Sequence, residues 1–290
     1  MNASPRCEFE TDVAAFAAAT RAWRDADPVA NNVVSTIVES RANAVAATEP
    51  DALWVKILRG DEVVGLAVQT PPRGLLLPRL SEEAVDALSL ALLEARGNLV
   101  GVNGPKETAD RFVSLWSIRA GCRADVDMES RMHRLDGDPA HPSGVPGRAR
   151  RADVDDLEVI STWATKFMDE TLPNERADIA DQIAVVRKRI ARSQYWMWEV
   201  DGRPTSMLAE SAPSAGVVRI QLVYTPVELR GHGYASACVA HASQDIASRP
   251  ETKAVVLYTD LANPTSNKIY RRIGYRKLLD AVNYRFTYPN

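Results

Sequence analysis

The sequence predicts an α+β protein made of two similar units in tandem, and three observations support this class. Its 290 residues exceed a typical domain, since domains cluster near about 100–150 residues. Helix-like and strand-like periodicities alternate in an order that occurs once in each half. Between the halves, GDPAHPSGVPG (Gly137–Gly147) is rich in proline and glycine and has neither period. We therefore predict domains at 1–137 and 148–290, joined by a linker at 138–147.

The first half reads as two amphipathic helices followed by alternating strands and helices. Ser81 is expected to cap the third helix, where Glu82 and Glu83 favour the positive end of the helix dipole. The predicted helices are Asp12–Asp25, Asn32–Ala44, Ser81–Ala95 and Pro105–Ala120. The predicted strands are Leu53–Leu58, Val63–Val68, Leu75–Leu77, Asn98–Val102 and Val126–Leu135.

The second half repeats this order, with Asp201-Gly202 as a hairpin turn. The predicted helices are Val154–Phe167, Ile179–Ala191, Gly231–Ala247 and Pro264–Ile273. The predicted strands are Arg148–Arg151, Tyr195–Val200, Pro204–Glu210, Val217–Tyr224, Ala254–Tyr258 and Tyr284–Tyr288.

Composition excludes several classes of protein. The net charge of -3 argues against nucleic acid as the main partner. No apolar run approaches the ~20 residues that span a bilayer, and the N-terminus is acidic where a secretory signal is basic. Three distant cysteines form no CxxC pair, so neither a disulfide framework nor a metal site is expected. We therefore expect a cytoplasmic protein that binds no membrane.

The segment Arg230-Gly231-His232-Gly233-Tyr234-Ala235 follows a predicted strand and begins a helix. We call Arg230–Ala235 the glycine loop. Its glycines and small Ala235 let the backbone approach a ligand, and the free N–H groups, helix dipole and Arg230 favour a phosphate. The alternative is a tight turn without a ligand. Neither a Rossmann fingerprint nor a P-loop is present.

Two motifs in the same order and spacing resemble the GNAT superfamily of N-acetyltransferases. Its [Q/R]-x-x-G-x-[G/A] loop matches Arg230, Gly233 and Ala235. Its second motif matches Asn263, Ser266, Ile269, Tyr270, Gly274 and Tyr275. The resemblance implies two tandem GNAT-like domains, each a mixed, mostly antiparallel twisted sheet flanked by helices. The first half, whose LLLPRLSEEA has no glycine loop, resembles a degenerate copy that has lost cofactor binding.

The resemblance implies acetyl-CoA as cofactor. The backbone of Leu222, Val223 and Tyr224 is expected to bind the pantetheine arm, and one N–H there to stabilise the oxyanion. The diphosphate is assigned to the whole glycine loop. Asn263 is expected to order the loop and bond the pantetheine, and Ser266 and Tyr270 to make further cofactor contacts.

By the same resemblance, Tyr270 protonates the leaving thiolate; the alternative is an aromatic anchor. Glu210 is the candidate general base, with a structural strand-end carboxylate as its alternative. Asp169, Glu170 and Glu175 fall where the family shapes the acceptor mouth, or form a solvated loop.

The predicted activity is direct acetyl transfer in a ternary complex to the primary amine of a small molecule or peptide. One alternative is a non-catalytic acetyl-CoA-binding regulatory or interaction protein. Another is a transferase similar to mycothiol synthase, which acts on a glycosidic amine. The sequence identifies no acceptor and leaves a homodimer open.

Overall fold

A computed structural model describes residues 3–44, 51–171 and 179–289. The chain forms two compact units. Unit 1 comprises Met1–Met132, Asp260–Ala262 and Leu279–Asn290, and unit 2 comprises His133–Thr259 and Asn263–Leu278. Unit 1 thus includes Leu279–Asn290, which lies in the predicted second domain, and the domain division at 138–147 stays a prediction.

The described residues form the following elements. The helices are α1 (Val13–Ala26), α2 (Asn32–Ala42), α3 (Glu82–Arg96), α4 (Lys106–Ala120), α5 (Leu157–Thr171), α6 (Ile179–Ala191), α7 (Tyr234–Ala247) and α8 (Pro264–Ile273). The strands are β1 (Arg6–Glu10), β2 (Leu53–Arg59), β3 (Glu62–Gln69), β4 (Leu75–Leu76), β5 (Gly101–Pro105), β6 (Arg123–Leu135), β7 (Arg148–Arg151), β8 (Tyr195–Val200), β9 (Arg203–Glu210), β10 (Val217–Tyr224), β11 (Ala254–Asp260) and β12 (Tyr275–Thr287).

Both units contain mixed sheets. In unit 1 the strand order is β1-β2-β3-β4-β5-β12-β6, and β4 pairs with β5 in parallel. In unit 2 the order is β11-β10-β9-β8-β7, and β10 pairs with β11 in parallel. The neighbours β1–β2, β2–β3, β8–β9 and β9–β10 are antiparallel. The predicted α+β class with mixed, mostly antiparallel sheets is confirmed. Within the described ranges, every helix is too short or too polar to cross a membrane.

One strand of the structure was not predicted, and two predicted strands have different bounds. The strand β1 was not predicted, because the alternation in RCEFE is short and half charged. The strand predicted at Asn98–Val102 lies at Gly101–Pro105, and the last strand begins at Tyr275 rather than Tyr284. In that last strand, Arg276 and Lys277 interrupt the apolar period that the sequence analysis relied on.

The sheet of unit 2 is covered on both faces. On one face, which we call the α7 face, Val218 and Ile220 of β10 pack with α7 and with Tyr270 of α8. On the other, the α5/α6 face, Tyr224 and Met207 pack with Trp163 of α5. The two faces follow from the alternation of side chains along the strands, and a register shift between Gln221 and Tyr224 turns Tyr224 to the second face.

The α7 face contains a buried tyrosine, Tyr275, through which the stability of unit 2 should depend on alkaline pH. Tyr275 is 1% exposed, its hydroxyl lies 2.7 Å from Ser243 Oγ, and burial raises the pKa of Tyr275 above its ordinary value. The folded protein therefore keeps this proton at pH values where the unfolded chain, with a tyrosine pKa of about 10, has lost it. The contribution of Tyr275 to stability is therefore fully present below about pH 10 and is lost as the pH rises through the higher pKa of the folded state.

We predict that Tyr275→Phe flattens the fall of stability with pH. Above about pH 10, the free energy of unfolding of the wild type should fall more steeply than that of the variant, by about 1.4 kcal/mol per pH unit. At neutral pH the variant should lose about 1 kcal/mol through the missing hydrogen bond. Urea denaturation at pH 8, 10 and 11 measures both terms. Parallel pH curves for the two proteins would contradict the prediction.

Candidate functional site

The strand β10 separates from β11 part of the way along its length. The parallel register runs from Val217–Ala254 to Ile220–Leu257, and among the described residues it stops there. On its other side β10 pairs with β9, but the register shifts between Gln221 and Tyr224. Leu222, in this bulge, has a φ of 52°. Because the pairing with β11 ends at Ile220, the backbone groups of Leu222–Tyr224 on that side of β10 have no ladder partner in β11 among the described residues.

The glycine loop lies just beyond this opening and leads into α7. A short 3-10 helix at Val227–Leu229 comes first, and the long helix begins at Tyr234 rather than at Gly231 as predicted. Gly233 is the N-cap, with a φ of 83°, and no side chain caps the helix. The first turn of α7 contains no acidic residue. The helix start therefore presents N–H groups and a positive dipole end, which together bind anions.

The two glycines of the loop have different surroundings. Gly231 has a φ of 87°, and a Cβ there would meet no atom within 4 Å. A Cβ at Gly233 would come within 2.9 Å of Val145 Cγ2. The positive φ of both glycines disfavours residues other than glycine, but of the two only Gly231 adjoins open space.

Arg230 is held by groups of unit 2. Its Nε donates to the carbonyl oxygen of Thr225 at 2.9 Å, and its Nη2 donates to Glu170 Oε2 at 2.7 Å. Its guanidinium also lies 5.8 Å from the centre of the Tyr224 ring, and the Tyr224 hydroxyl is 3.4 Å from Glu170 Oε1. Arg230 thereby connects the glycine loop to α5. Glu170 was predicted to shape the acceptor mouth, and another residue predicted there, Glu175, lies outside the described residues.

His232 packs on its own loop. Its ring stacks on Tyr234 with centroids 5.4 Å apart, and Nδ1 lies 3.1 Å from the carbonyl oxygen of Arg230. His232 is exposed. These contacts give the ring a role in shaping the loop.

Asn263 and Ser266 form the N-terminal cap of α8. Asn263 Oδ1 accepts from the Ser266 N–H at 3.0 Å, and Asn267 Nδ2 donates to the carbonyl oxygen of Asn263 at 2.8 Å. Asn267 Oδ1 in turn accepts from the Thr259 hydroxyl at 2.7 Å. The expected ordering role of Asn263 is visible in these contacts, and its contact with the cofactor stays a prediction.

Tyr270 projects from α8 into the α7 face. It is 8% exposed and lies edge-on to Tyr275, with ring centres 6.1 Å apart. Burial, and then the nearby Cys238, raise the pKa of Tyr270 above its ordinary value. The hydroxyl therefore stays protonated at neutral pH, as a proton donor must.

Glu210 belongs to an ion cluster. It is 5% exposed, and it accepts hydrogen bonds from Arg249 at 2.9 and 3.0 Å, Arg151 at 3.0 Å and Trp196 Nε1 at 3.0 Å. Both arginines also bind Asp245 of α7. Glu210 is thus a buried carboxylate on the α7 face. These contacts favour a structural role, and a role as base stays a prediction.

Sequence reasoning did not find the partners of Glu210. Arg151 and Arg249 are separated from it by 59 and 39 residues, and no sequence period connects them. The available signal was Glu210 itself, a charged residue that ends a strand in which Thr205–Ala209 are all buried. A carboxylate buried in that way requires a cationic partner.

At the equivalent strand end, the described residues of unit 1 form neither an opening nor an uncapped helix. After the parallel pairs Leu75–Val102 and Leu76–Asn103, the Leu77 N–H donates to the Asn103 carbonyl at 2.8 Å, so the strands stay together. At the start of α3, Ser81 Oγ accepts from the Ala84 N–H at 3.3 Å. These contacts, with Glu82 and Glu83 in the first turn, leave no comparable anion site there. No metal-binding cluster occurs within the described ranges of the chain.

Comparisons with known proteins find a family match for part of the sequence and similar folds for nearly all of it. Residues 200–286 match the model of the FR47-like protein family. A GCN5-related N-acetyltransferase from Sphaerobacter thermophilus is 16% identical, with a TM-score of 0.66 over 99% of this chain and 96% of its own. A tandem GNAT protein from the clavulanic acid biosynthesis pathway is 12% identical, with a TM-score of 0.59 over 97% of this chain and 98% of its own.

An acetyltransferase of the GNAT family from Colwellia psychrerythraea is 11% identical, with a TM-score of 0.58 over 98% of this chain and 100% of its own. The search of curated proteins found no match. At these identities the likeness shows the fold, and the predicted GNAT resemblance and tandem arrangement are confirmed.

We predict that Glu210→Gln destabilises unit 2, because it leaves Arg151 and Arg249 with one carboxylate, Asp245. Both arginines are partly exposed, so the loss should be about 2 kcal/mol, below the 3–5 kcal/mol typical of fully buried pairs. Glu228→Gln, which removes an exposed carboxylate, is the control. Urea denaturation of the full chain measures both. Equal stabilities would show that the cluster contributes nothing.

Proposed function

We propose that this chain, which has a tandem GNAT fold, is an acetyltransferase that moves the acetyl group of acetyl-CoA to a primary amine. The reaction takes place in unit 2 by direct attack in a ternary complex. One observation carries the proposal. The opening between β10 and β11 and the uncapped start of α7 occur together at the same end of β10.

The residues present fit the diphosphate of coenzyme A. The first turn of α7 offers N–H groups that no side chain caps, and Gly231 has open space beside it. The guanidinium of Arg230 adds positive charge, part of which Glu170 neutralises. Acidic residues are absent from this first turn, whereas α3 in unit 1 has two.

The residues at the opening fit the pantetheine arm. A peptide-like chain can add to a strand whose backbone groups lack a neighbour, and Leu222–Tyr224 are such a segment. Leu222 and Val223 are partly exposed there, while Tyr224 is buried against α5.

Bound acetyl-CoA supplies an acetyl group activated as a thioester. A backbone N–H of Leu222–Tyr224 would polarise its carbonyl, an effect typically worth about 3–4 kcal/mol per donor. Tyr270, whose hydroxyl stays protonated, would supply the proton that the departing sulfur needs. The bulge in β10 fixes the backbone of Leu222–Tyr224, and the packing of α8 fixes Tyr270.

The residue that accepts the proton of the amine is left unassigned. Glu210 binds two arginines on the α7 face, and Tyr224 and Glu170 are at the α5/α6 face. Deprotonation by solvent before binding is compatible with this arrangement.

The engagement of Glu210 also favours a second candidate, a non-catalytic acetyl-CoA-binding protein. Release of free thiol that depends on an added amine separates the two, since a sensor would bind acetyl-CoA without release. Activity similar to that of mycothiol synthase stays a prediction. So do the cytoplasmic location, the homodimer and the absence of nucleic-acid and membrane partners.

We predict that Ser236→Asp weakens acetyl-CoA binding without unfolding α7. A carboxylate in the first turn stabilises a helix but repels a diphosphate. Ser236→Asn, of the same size and uncharged, is the matched control. Calorimetry should give one site per wild-type chain, with a Kd at least about tenfold higher for Ser236→Asp than for Ser236→Asn. Equal affinities, or a second site per chain, would count against the assignment to α7.

We predict that Tyr270→Phe lowers turnover about 100-fold while acetyl-CoA affinity stays within a few fold, because only the proton donor is lost. Tyr275→Phe removes the hydroxyl of the neighbouring buried tyrosine and is the control. Single-turnover thiol release, with calorimetric Kd values for acetyl-CoA, measures the effect. Turnover equal to that of Tyr275→Phe would make Tyr270 a packing residue.

A further inference from the structure

Arg219 places a guanidinium on the α5/α6 face of β10. Its neighbours Val218 and Ile220 both pack on the α7 face, so alternation directs Arg219 to the opposite face. Its electrostatic neighbours include Arg189 of α6, which agrees with this direction. Arg219 lies one residue before Ile220, the last residue of β10 that pairs with β11.

Tyr258 lies on the same side of the opening. Val255 and Leu257 of β11 pack on the α7 face, so Tyr258 points the other way, and it interacts electrostatically with Arg219. Leu257 is the last residue of β11 that pairs with β10, so Tyr258 is the first residue past that pairing. Arg219 and Tyr258 thus flank the point where the two strands separate.

The two faces of the sheet differ in the side chains that they bring to the opening. The α7 face behind the opening is filled by buried side chains, including Cys238 at 0% exposure and Tyr270 at 8%. The α5/α6 face instead offers Arg219 and Gln221, both partly exposed. Their side chains are in contact, with Arg219 Nη2 3.4 Å from Gln221 Oε1.

Keeping a guanidinium in this position is costly. Burial, together with the charge of Arg189, lowers the pKa of Arg219 from 12.5 to about 10, although Tyr258 opposes the shift. Arg219 is therefore still cationic at neutral pH. Two arginines close enough to interact electrostatically favour an anionic ligand, and a guanidinium has several N–H donors arranged to bind an oxyanion.

We propose that the acceptor is an amine that also carries an oxyanion, a carboxylate or a phosphate, and that Arg219 binds that oxyanion while the amine faces the opening. This inference rests on the proposed function and specifies its substrate class. It makes Arg219 a specificity-determining residue. Arg219 keeps its contacts within the fold and adds the ligand to them.

The test uses the full chain and matched pairs of amines. The pairs are glycine and glycinamide, β-alanine and β-alaninamide, and O-phosphoethanolamine and ethanolamine. We expect kcat/KM, from thiol release, to favour the oxyanion member of at least one pair by about tenfold or more. The first two pairs report on carboxylates and the third on phosphate. A wild type that prefers the member without an oxyanion in every pair would overturn the inference.

Variants test whether Arg219 causes the preference for the amine with an oxyanion. Arg219→Gln should reduce it about tenfold, whereas Arg203→Gln, which removes an exposed arginine of β9, should leave it unchanged. Acetyl-CoA affinity checks that each variant is folded. If Arg219→Gln does not fold, Gln221→Glu, which sets a carboxylate beside Arg219, should reduce the preference instead. A preference that survives both variants would overturn the inference.

Failure of the proposed function would look different. If acetyl-CoA binds but no amine releases thiol, the chain is not an acetyltransferase for this panel. Binding then decides the role of Arg219. N-acetylglycine should bind the CoA-loaded wild type more tightly than N-acetylglycinamide does, and Arg219→Gln should remove the difference. Equal binding of the two compounds to the wild type would reject the oxyanion site.

Discussion

The end of the parallel pairing between β10 and β11 organises unit 2. Past Ile220 and Leu257 the two strands no longer satisfy each other, and the bulge at Leu222 also interrupts the pairing of β10 with β9. Backbone groups within a sheet require partners, so this segment is prepared to bind a peptide-like ligand. The same strand then leads into the glycine loop, which starts α7 without a cap. The separated strand end and the uncapped helix start, to which we assign acetyl-CoA, therefore follow one another along the chain.

Unit 1 shows what happens when that departure is missing. Its strands β4 and β5 stay joined through the Leu77–Asn103 hydrogen bond, and Ser81 and two glutamates occupy the start of α3. Element order is the same in the two halves of the chain, but at this strand end unit 1 has a hydrogen bond and a capped helix where unit 2 has an opening and an uncapped helix. The GNAT fold is thus compatible with either outcome, and a few residues at a strand end decide between them.

The sequence predicts the fold well where periodicity is strong. α8, β8 and β10 have the predicted bounds, because each has a regular apolar period with clear ends. The glycine loop was also found, since its glycines and small residues are local signals. Groups that come together only by tertiary contact were not predicted. The Arg230–Glu170 pair and the Glu210 cluster join distant segments, and the face on which Arg219 lies became clear only from the packing of Val218 and Ile220.

Hydrogen exchange of backbone amides, with and without saturating acetyl-CoA, tests the central claim most directly. The account predicts slower exchange in two segments of unit 2, Leu222–Tyr224 and the first turn of α7 from Tyr234, because the cofactor would occupy their N–H groups. The first turn of α3 in unit 1 should not change. Unchanged exchange in both unit 2 segments, or protection at α3 instead, would contradict the account.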